Sequence, residues 1–364
     1  MAKILILTNN DVGLYKFRKE LIKELVKKYE VYVSLPYGDL IPKLEELGCN
    51  FIETPISRRG TNPITDFKLL MNYRKIIKNI KPNVVLTYTI KPNVYGGLAC
   101  RMSDVPYIAN ITGLGTAVEN KGVLQKITLF LYKESLTKAN CVFFQNRDNE
   151  AFFYEMKITS GKHRLIPGSG VNLQHYSLLD YPSDKIINFL FIARVMKEKG
   201  IDHYLDVAKY IRGKYPNTAF HILGFCEDVY EEKLRSLHDK GIIQYHGMQN
   251  DVRKFHEFSH CTIHPTYYPE GMSNVLLESA ACGRPIITTN RAGCREIVDD
   301  GENGYVVEQQ DSQDLIEKVE RFLKLDQETK MQMGLAGRIK VENEFNRRIV
   351  VDAYLEEIVK SLSV

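Results

Sequence analysis

Short apolar runs of strand length recur along this chain with helix-periodic segments between them, and the series starts twice. Lys3–Thr8 reads as a buried strand, and Tyr15–Lys28 then places Phe17, Leu21, Leu25 and Val26 at helical spacing. Val31–Leu35, Phe51–Thr54, Val84–Tyr88, Tyr107–Ile111 and Cys141–Gln145 read as further strands, with helical stretches at Phe67–Lys81 and Leu124–Thr137. The second series has strands at Ile187–Ala193, Ala219–Leu223, Ile242–Tyr245, Cys261–Pro265 and Pro285–Thr288, with a helix at Tyr204–Tyr215. Alternation of this kind predicts parallel sheets covered by helices on both faces. The break falls at Pro167-Gly168-Ser169-Gly170-Val171-Asn172, a Gly/Pro cluster of linker type. The expected architecture is α/β: two doubly wound, Rossmann-like domains, 1–170 and 185–345, facing across a cleft. A last helix over about 346–364 is expected to pack back on the first domain. Ligands of open α/β sheets bind outside the carboxyl ends of strands, so residues at strand ends carry the functional argument.

With 364 residues, 44% of them apolar and 26% charged, the chain has the profile of a globular protein large enough for two cores. Seven cysteines, an odd number with no CxxC pair, point to a reducing compartment. The first apolar run is too short for a signal peptide, and no window approaches a membrane span. The expected location is cytoplasmic, with peripheral attachment to the inner face of the cytoplasmic membrane. The net charge of +4 is unevenly spread: residues 1–180 hold 25 Lys/Arg and 16 Asp/Glu (+9), and residues 181–364 hold 24 and 29 (−5). A basic first half suits an anionic partner, a lipid surface or a pyrophosphate; a solvated, uneven lysine surface is the competing reading. Phe67, Leu69, Leu70 and Tyr73 with Lys68, Arg74, Lys75 and Lys78 form either an amphipathic docking face or an ordinary core-facing helix.

Two stretches at strand ends could carry chemistry. After Cys261-Thr262-Ile263-His264-Pro265, a loop delivers Glu270, and helix signals begin at Ser273 or Asn274, either of which can cap. Val275, Leu276, Leu277, Ala280 and Ala281 form an apolar helix body that contains Glu278, about two turns beyond Glu270. An unpaired carboxylate inside such a body is costly, so Glu278 calls for a partner. The amides of Met272, Ser273 and Asn274 would point out of the helix start, where a diphosphate is stabilised. The second stretch, Phe191-Ile192-Ala193-Arg194-Val195-Met196-Lys197-Glu198-Lys199-Gly200, offers a guanidinium fork and a point charge that can meet two phosphates. Taken singly, the two acids also read as a loop and a satisfied helix residue, and the basic pair as surface decoration.

Together these residues resemble retaining glycosyltransferase family 4, whose members have the two-domain GT-B fold. The resemblance covers the whole chain. It is sharpest at Arg194–Lys199, at Pro269–Ile287, and at Gly293-Cys294-Arg295-Glu296-Ile297-Val298 with Asp300-Gly301-Glu302-Asn303-Gly304. The opening Thr8-Asn9-Asn10-Asp11-Val12-Gly13, the central Asn110-Ile111-Thr112-Gly113-Leu114-Gly115 and the linker Ile166–Val171 resemble the branch that builds capsule, O-antigen and lipid-linked oligosaccharides. The resemblance implies that Glu278 holds the donor ribose, that Glu270 lies beside the transferred sugar, and that Arg194 and Lys199 bind the diphosphate. Gly271, Met272, Ser273 and Asn274 would complete the cradle, main chain near Met248 would flank the base, and the loop Asn9–Gly13 would reach the donor through Gly13. Asn10, Asp11, Thr112 and Gly113 would line the acceptor side. Two departures touch sugar identity: one glycine, Gly13, stands in the first loop where many members have a pair, and Asn110-Ile111-Thr112 stands where many have a histidine.

The resemblance further implies a hexose-type UDP-sugar (HexNAc, hexose or hexuronate) as co-substrate, a glycan or polyprenyl-diphosphate-linked sugar as acceptor, and no cofactor or metal. Gly168-Ser169-Gly170 and Gly113-Leu114-Gly115 lack the third glycine of a dinucleotide fingerprint. Cys261 and His264 alternate along a strand, which reads as core packing over metal ligation. No aromatic and basic ladder suggests nucleic acid. Two rivals stay open: a nucleotide-sugar 2-epimerase, which usually opens on a GTRPE-like stretch absent here, and a non-catalytic nucleotide-sugar or glycan binding module.

Overall fold

The computed structural model describes residues 1–57, 60, 62–115, 118, 122–159 and 161–363. The chain divides into two compact units, Met1–Gly170 with Arg347–Val364, and Val171–Asn346. The segment 171–184, outside both domains in the sequence reading, therefore packs with the second unit.

In the first unit, β1 (Lys3–Leu7), β2 (Glu30–Leu35), β3 (Cys49–Glu53), β4 (Val84–Tyr88), β5 (Tyr107–Ile111), β6 (Cys141–Phe144) and β7 (His163–Leu165) form one parallel sheet in the order β3-β2-β1-β4-β5-β6-β7. The strand order reverses between β1 and β4, which makes the unit doubly wound. Three helices lie on one face: α3 (Pro63–Ile80), α4 (Gly97–Ser103, entered through a π-helical turn at Pro92–Gly96) and α5 (Val123–Leu136). Leu69, Tyr73, Ile76 and Ile77 of α3 pack there with Leu5, Leu7 and Val85. The opposite face is covered by α1 (Asp11–Val26) and by the last helix of the chain, Arg347–Leu362. Val350, Val351, Tyr354 and Ile358 of that helix share a core with Leu14, Leu21, Val33 and Phe143. Arg347 fastens its start to Glu20 at 2.9 Å and to the Gly170 carbonyl at 3.0 Å. α2 (Ile41–Glu46) and α6 (Arg147–Glu155) complete the unit.

The second unit repeats the plan with β8 (Ile187–Ile192), β9 (Thr218–Leu223), β10 (Gln244–Tyr245), β11 (Cys261–His264), β12 (Ile286–Thr289) and β13 (Gly304–Val307), parallel in the order β10-β9-β8-β11-β12-β13. Its helices are α7 (Ile201–Lys214), α8 (Asp228–Asp239), α9 (Arg253–Phe258), α10 (Asn274–Ala281), α11 (Ser312–Leu323) and α12 (Gln327–Glu344), and the last helix above is α13. The reversal falls between β8 and β11, paired through Cys261↔Phe189 and Thr262↔Leu190. Phe189, Phe191, Cys261 and Ile263 are buried on those strands. Cys261 and His264 are both inside the core.

Most strands stand within two residues of their expected positions. β7 and β13 are the exceptions, both short edge strands. Gly304 opens β13 because a Cβ there would lie 2.0 Å from the Ile286 carbonyl oxygen, so a residue that reads as a turn signal begins a strand.

Candidate active site

The reversal between β8 and β11 brings together side chains that are 71 residues apart in sequence: Lys199 and Glu270 form an ion pair. Lys199 leaves β8 through Arg194-Val195-Met196 and one 3₁₀ turn, Lys197–Lys199. Gly200 ends that turn at φ +77°, and a Cβ on it would sit 2.0 Å from the Pro265 carbonyl oxygen. Glycine is therefore required for the turn after β8 to lie directly on the end of β11. The Tyr267 amide donates to the Glu198 carbonyl at 2.9 Å, tying the two strand ends into one block.

Tyr268 forms a wall of this site. The Lys199 ammonium stands 4.7 Å from the ring centroid and the Arg194 guanidinium 6.0 Å. Two cations thus lie over one aromatic ring, which attracts and orients them. The side chains of Lys199 and Glu270 retain 13% and 17% of their exposure, enough for a ligand to reach them and too little for full hydration. Neighbouring His264, at the end of β11, is buried in the core, and burial pushes its pKa down to about 3, so it is neutral near pH 7.

The loop after β11 is held from its far side by Gly293, at φ +85°. A Cβ on Gly293 would meet the Gly271 carbonyl oxygen at 2.6 Å and Glu270 Cβ at 3.1 Å. The Gly293 carbonyl accepts from the Ser273 amide at 2.8 Å, and the Gly293 amide donates to Glu296 Oε2 at 2.7 Å. These contacts set the run from Gly293 to Glu296 against the Glu270 loop.

α10 begins at Asn274 with Ser273 in the cap position, and the Ser273 side chain makes no capping hydrogen bond. The first-turn amides of an α-helix have no intrahelical acceptor, so an uncapped start facing a loop is suited to an anion. One expectation is corrected here: the Ser273 amide, expected in the diphosphate cradle, is already bonded to Gly293. The Met272 side chain is buried in the core against Leu276 and Cys294. Glu278 lies in the second turn of α10 and is half-buried, so the two acids sit on different elements, Glu270 in the loop and Glu278 in the helix. Met248 is exposed in the loop after β10, where the Gly247 carbonyl accepts from the Gly224 amide at 2.9 Å.

The remaining expected residues belong to the first unit. The loop predicted over Asn9–Gly13 is shorter than expected, because α1 starts at Asp11 with Asn10 as its cap. The Gly13 amide donates to Asn10 Oδ1 at 2.6 Å, so it is spent on the cap and does not serve as a donor-binding amide in this structure. Asp11 is buried, and its Oδ2 accepts from the Leu40 amide at 2.8 Å, which makes it a clamp on the loop after β2. Thr112 and Gly113 follow β5 half-buried, with Gly113 at φ +139°. Asn110, the first residue of the Asn110-Ile111-Thr112 stretch, is fully buried: it donates to the Tyr354 hydroxyl and accepts from Gln145 at 3.2 Å. Sequence reasoning does not single out Tyr268, Gly200 or Gly293 as site residues; the local signals are a tyrosine pair before Pro269-Glu270 and a glycine, Gly200, directly after Lys199.

Residues 181–340 match the family described as glycosyl transferases group 1, and residues 3–146 match that described as glycosyl transferase 4-like. The chain belongs to the family 4-like glycosyltransferases of the GT-B fold. A Campylobacter jejuni N,N'-diacetylbacillosaminyl-diphospho-undecaprenol alpha-1,3-N-acetylgalactosaminyltransferase is 26% identical, with 96% of each chain covered. An Escherichia coli UDP-Gal:alpha-D-GlcNAc-diphosphoundecaprenol alpha-1,3-galactosyltransferase is also 26% identical, over 84% of this chain and 83% of its own. Among solved structures, Anabaena HepE in complex with UDP and glucose superposes with a TM-score of 0.79 at 15% identity, covering 99% of this chain and 100% of that one, a likeness of fold.

Proposed function

We propose that this glycosyltransferase is a retaining, metal-independent enzyme that moves a hexose-type sugar from a UDP-sugar to a polyprenyl-diphosphate-linked sugar in surface-polysaccharide assembly. The observation that carries the reading is the convergence of Lys199 and Arg194 on the Tyr268 ring, with Glu270 paired to Lys199, immediately before the uncapped start of α10. The named substrates of the Campylobacter and Escherichia relatives, both diphospho-undecaprenol sugars, support the acceptor class.

In this reaction the bond between the anomeric carbon and the diphosphate oxygen breaks, and a bond from that carbon to an acceptor hydroxyl oxygen forms on the same face. The acceptor proton passes to the departing phosphate. Negative charge grows on the leaving diphosphate, and Arg194, Lys199 and the first amides of α10 meet it. Glu270, held by Lys199, positions the sugar hydroxyls, and Glu278 accepts from the donor ribose. The first unit supplies acceptor contacts from Asn10, Thr112 and Gly113.

The test is incubation with a panel of UDP-sugars and a polyprenyl-diphosphate sugar, with and without EDTA, read by mass spectrometry and by NMR of the new linkage. A glycolipid of retained anomeric configuration, formed at the same rate with chelator, is the expected result. An inverted product or a metal requirement overturns the mechanism, an isomerised donor points to an epimerase, and binding without turnover points to a binding module.

A further inference from the structure

Two helices on one face of the first unit carry apolar side chains that the core does not use. Leu69, Tyr73, Ile76 and Ile77 turn α3 into the sheet, which corrects the docking face expected from Phe67, Leu69, Leu70 and Tyr73: only Phe67 of those four is exposed. It is joined on the outside by Ile64 and Met71, each about one turn away. α5 repeats the arrangement more strongly. Leu129, Tyr132 and Leu136 face inward, while Val123, Leu124, Ile127 and Phe130 face out, Val123 and Phe130 with 75% and 62% of their surface exposed.

Both stripes run from the amino-terminal ends of their helices, and both helices pack on the same intervening segment, Pro92–Ser103. In a parallel sheet every such helix starts at the carboxyl edge of the strands. The two stripes therefore flank one end of the unit, the end at which Thr112 and Gly113 leave β5.

Among the described residues of the two helices, the cations are exposed and each acid is paired. Lys68, Arg74, Lys75 and Lys78 are exposed on α3, and the acid of that helix, Asp66, is buried and paired with Lys91 at 2.6 Å. Lys126 and Lys133 are exposed on α5, and its acid, Glu134, is paired with Arg101 at 2.9 Å. Apolar side chains that enter an acyl layer, ringed by lysines that stay at the headgroups, are what an interfacial helix presents to a membrane. Among the described residues no helix is long and apolar enough to cross a bilayer.

We propose that the outward stripes of α3 and α5 form a single surface that docks on an anionic phospholipid bilayer. This deepens the reading above, resting on it for the benefit of docking, since a lipid-linked acceptor lies in that bilayer. The docking itself is measured without donor or acceptor.

The experiment is sedimentation of the whole protein with vesicles of phosphatidylglycerol and phosphatidylcholine against vesicles of phosphatidylcholine alone. The expected result is binding to the anionic vesicles that weakens as salt is added. Ile127→Glu/Phe130→Glu, and separately Ile64→Glu/Phe67→Glu, each lower vesicle partition by about 10-fold or more. Both variants keep the wild-type melting temperature and the wild-type rate on a short-chain, water-soluble acceptor diphosphate. Indifference of the wild type to anionic vesicles, or equal partition of both variants, overturns the proposal. So does a wild-type dimer that ignores vesicles and is dispersed by Ile127→Glu/Phe130→Glu, because a second copy then covers the face. Absence of transfer to the soluble acceptor with intact vesicle binding sinks the substrate reading alone.

Discussion

Lys199→Ala isolates the contribution of one cation to the departure of the diphosphate. The side chains of Lys199 and Glu270 are 13% and 17% exposed, between surface and interior, where an effective dielectric near 20 applies. A full unit charge about 4 Å from Lys199 then interacts by roughly 4 kcal/mol. The leaving diphosphate gains only part of a charge between ground and transition state. About two thirds of that value, near 2.7 kcal/mol, corresponds to a rate loss of about 100-fold. The loss is expected in kcat, measured by initial rates of radiolabelled transfer at saturating donor, with the donor KM changing by less than about threefold.

Glu270→Gln separates this role from a purely positional one. If Lys199 acts on the diphosphate, Lys199→Ala still costs about 100-fold in the Glu270→Gln background. If Lys199 only holds Glu270, the double variant is no slower than Glu270→Gln alone. That second outcome, or turnover of Lys199→Ala within about threefold of wild type, refutes the reasoning.

Glu278→Ala is expected to lower kcat/KM by at least about 100-fold, mainly through donor KM, because a ribose contact persists from ground state to transition state; an unchanged KM counts against the assignment. Gly200→Ala forces a Cβ to within 2.0 Å of the Pro265 carbonyl oxygen at φ +77° and should destabilise the second unit by about 2–5 kcal/mol, read by urea unfolding. A change below about 0.5 kcal/mol would mean that the end of β11 yields freely. His221 and His260 are held down to about 4, and His256 and His264 to about 3, in each case first by burial. A histidine whose folded pKa lies below its unfolded value of about 6.5 stabilises fully above pH 6.5 and loses that contribution as pH falls toward the folded value. Each group costs about 1.4 kcal/mol per pH unit in that window, so stability should drop steeply between pH 6.5 and pH 4, and a flat denaturation profile across it would contradict the burial of these rings.

The two-sheet architecture was legible because strand and helix periods are local. Lys3–Leu7, Val84–Tyr88 and Tyr107–Ile111 are buried strands whose apolar runs have no helical reading of equal length. β13 was not legible, since Gly304 marks a turn by composition and becomes a strand only through its contact with Ile286. The sequence pattern starts α1 at Tyr15, four residues late, because Asn10 and Asp11 read as loop polar groups. Only the folded chain shows Asn10 capping Gly13 and Asp11 clamping Leu40.

By itself the sequence determined where the candidate residues stand: Arg194 and Lys199, the candidates for a diphosphate, and Glu270, the candidate for the sugar, each follow an apolar strand, and that placement comes from short-range pattern. The tertiary structure decided how they meet. The reversal of strand order between β8 and β11 puts Lys199 on Glu270 and both cations on the Tyr268 ring. It also takes the Ser273 amide away from the cradle and gives it to Gly293. The outward stripes of α3 and α5 belong to the same category. A periodic helix has an apolar face in sequence, and only packing tells which apolar residues the core consumes and which are left exposed. Periodicity is a property of neighbouring residues, whereas hydrogen-bond partners and burial are shared among residues that sequence separation does not relate.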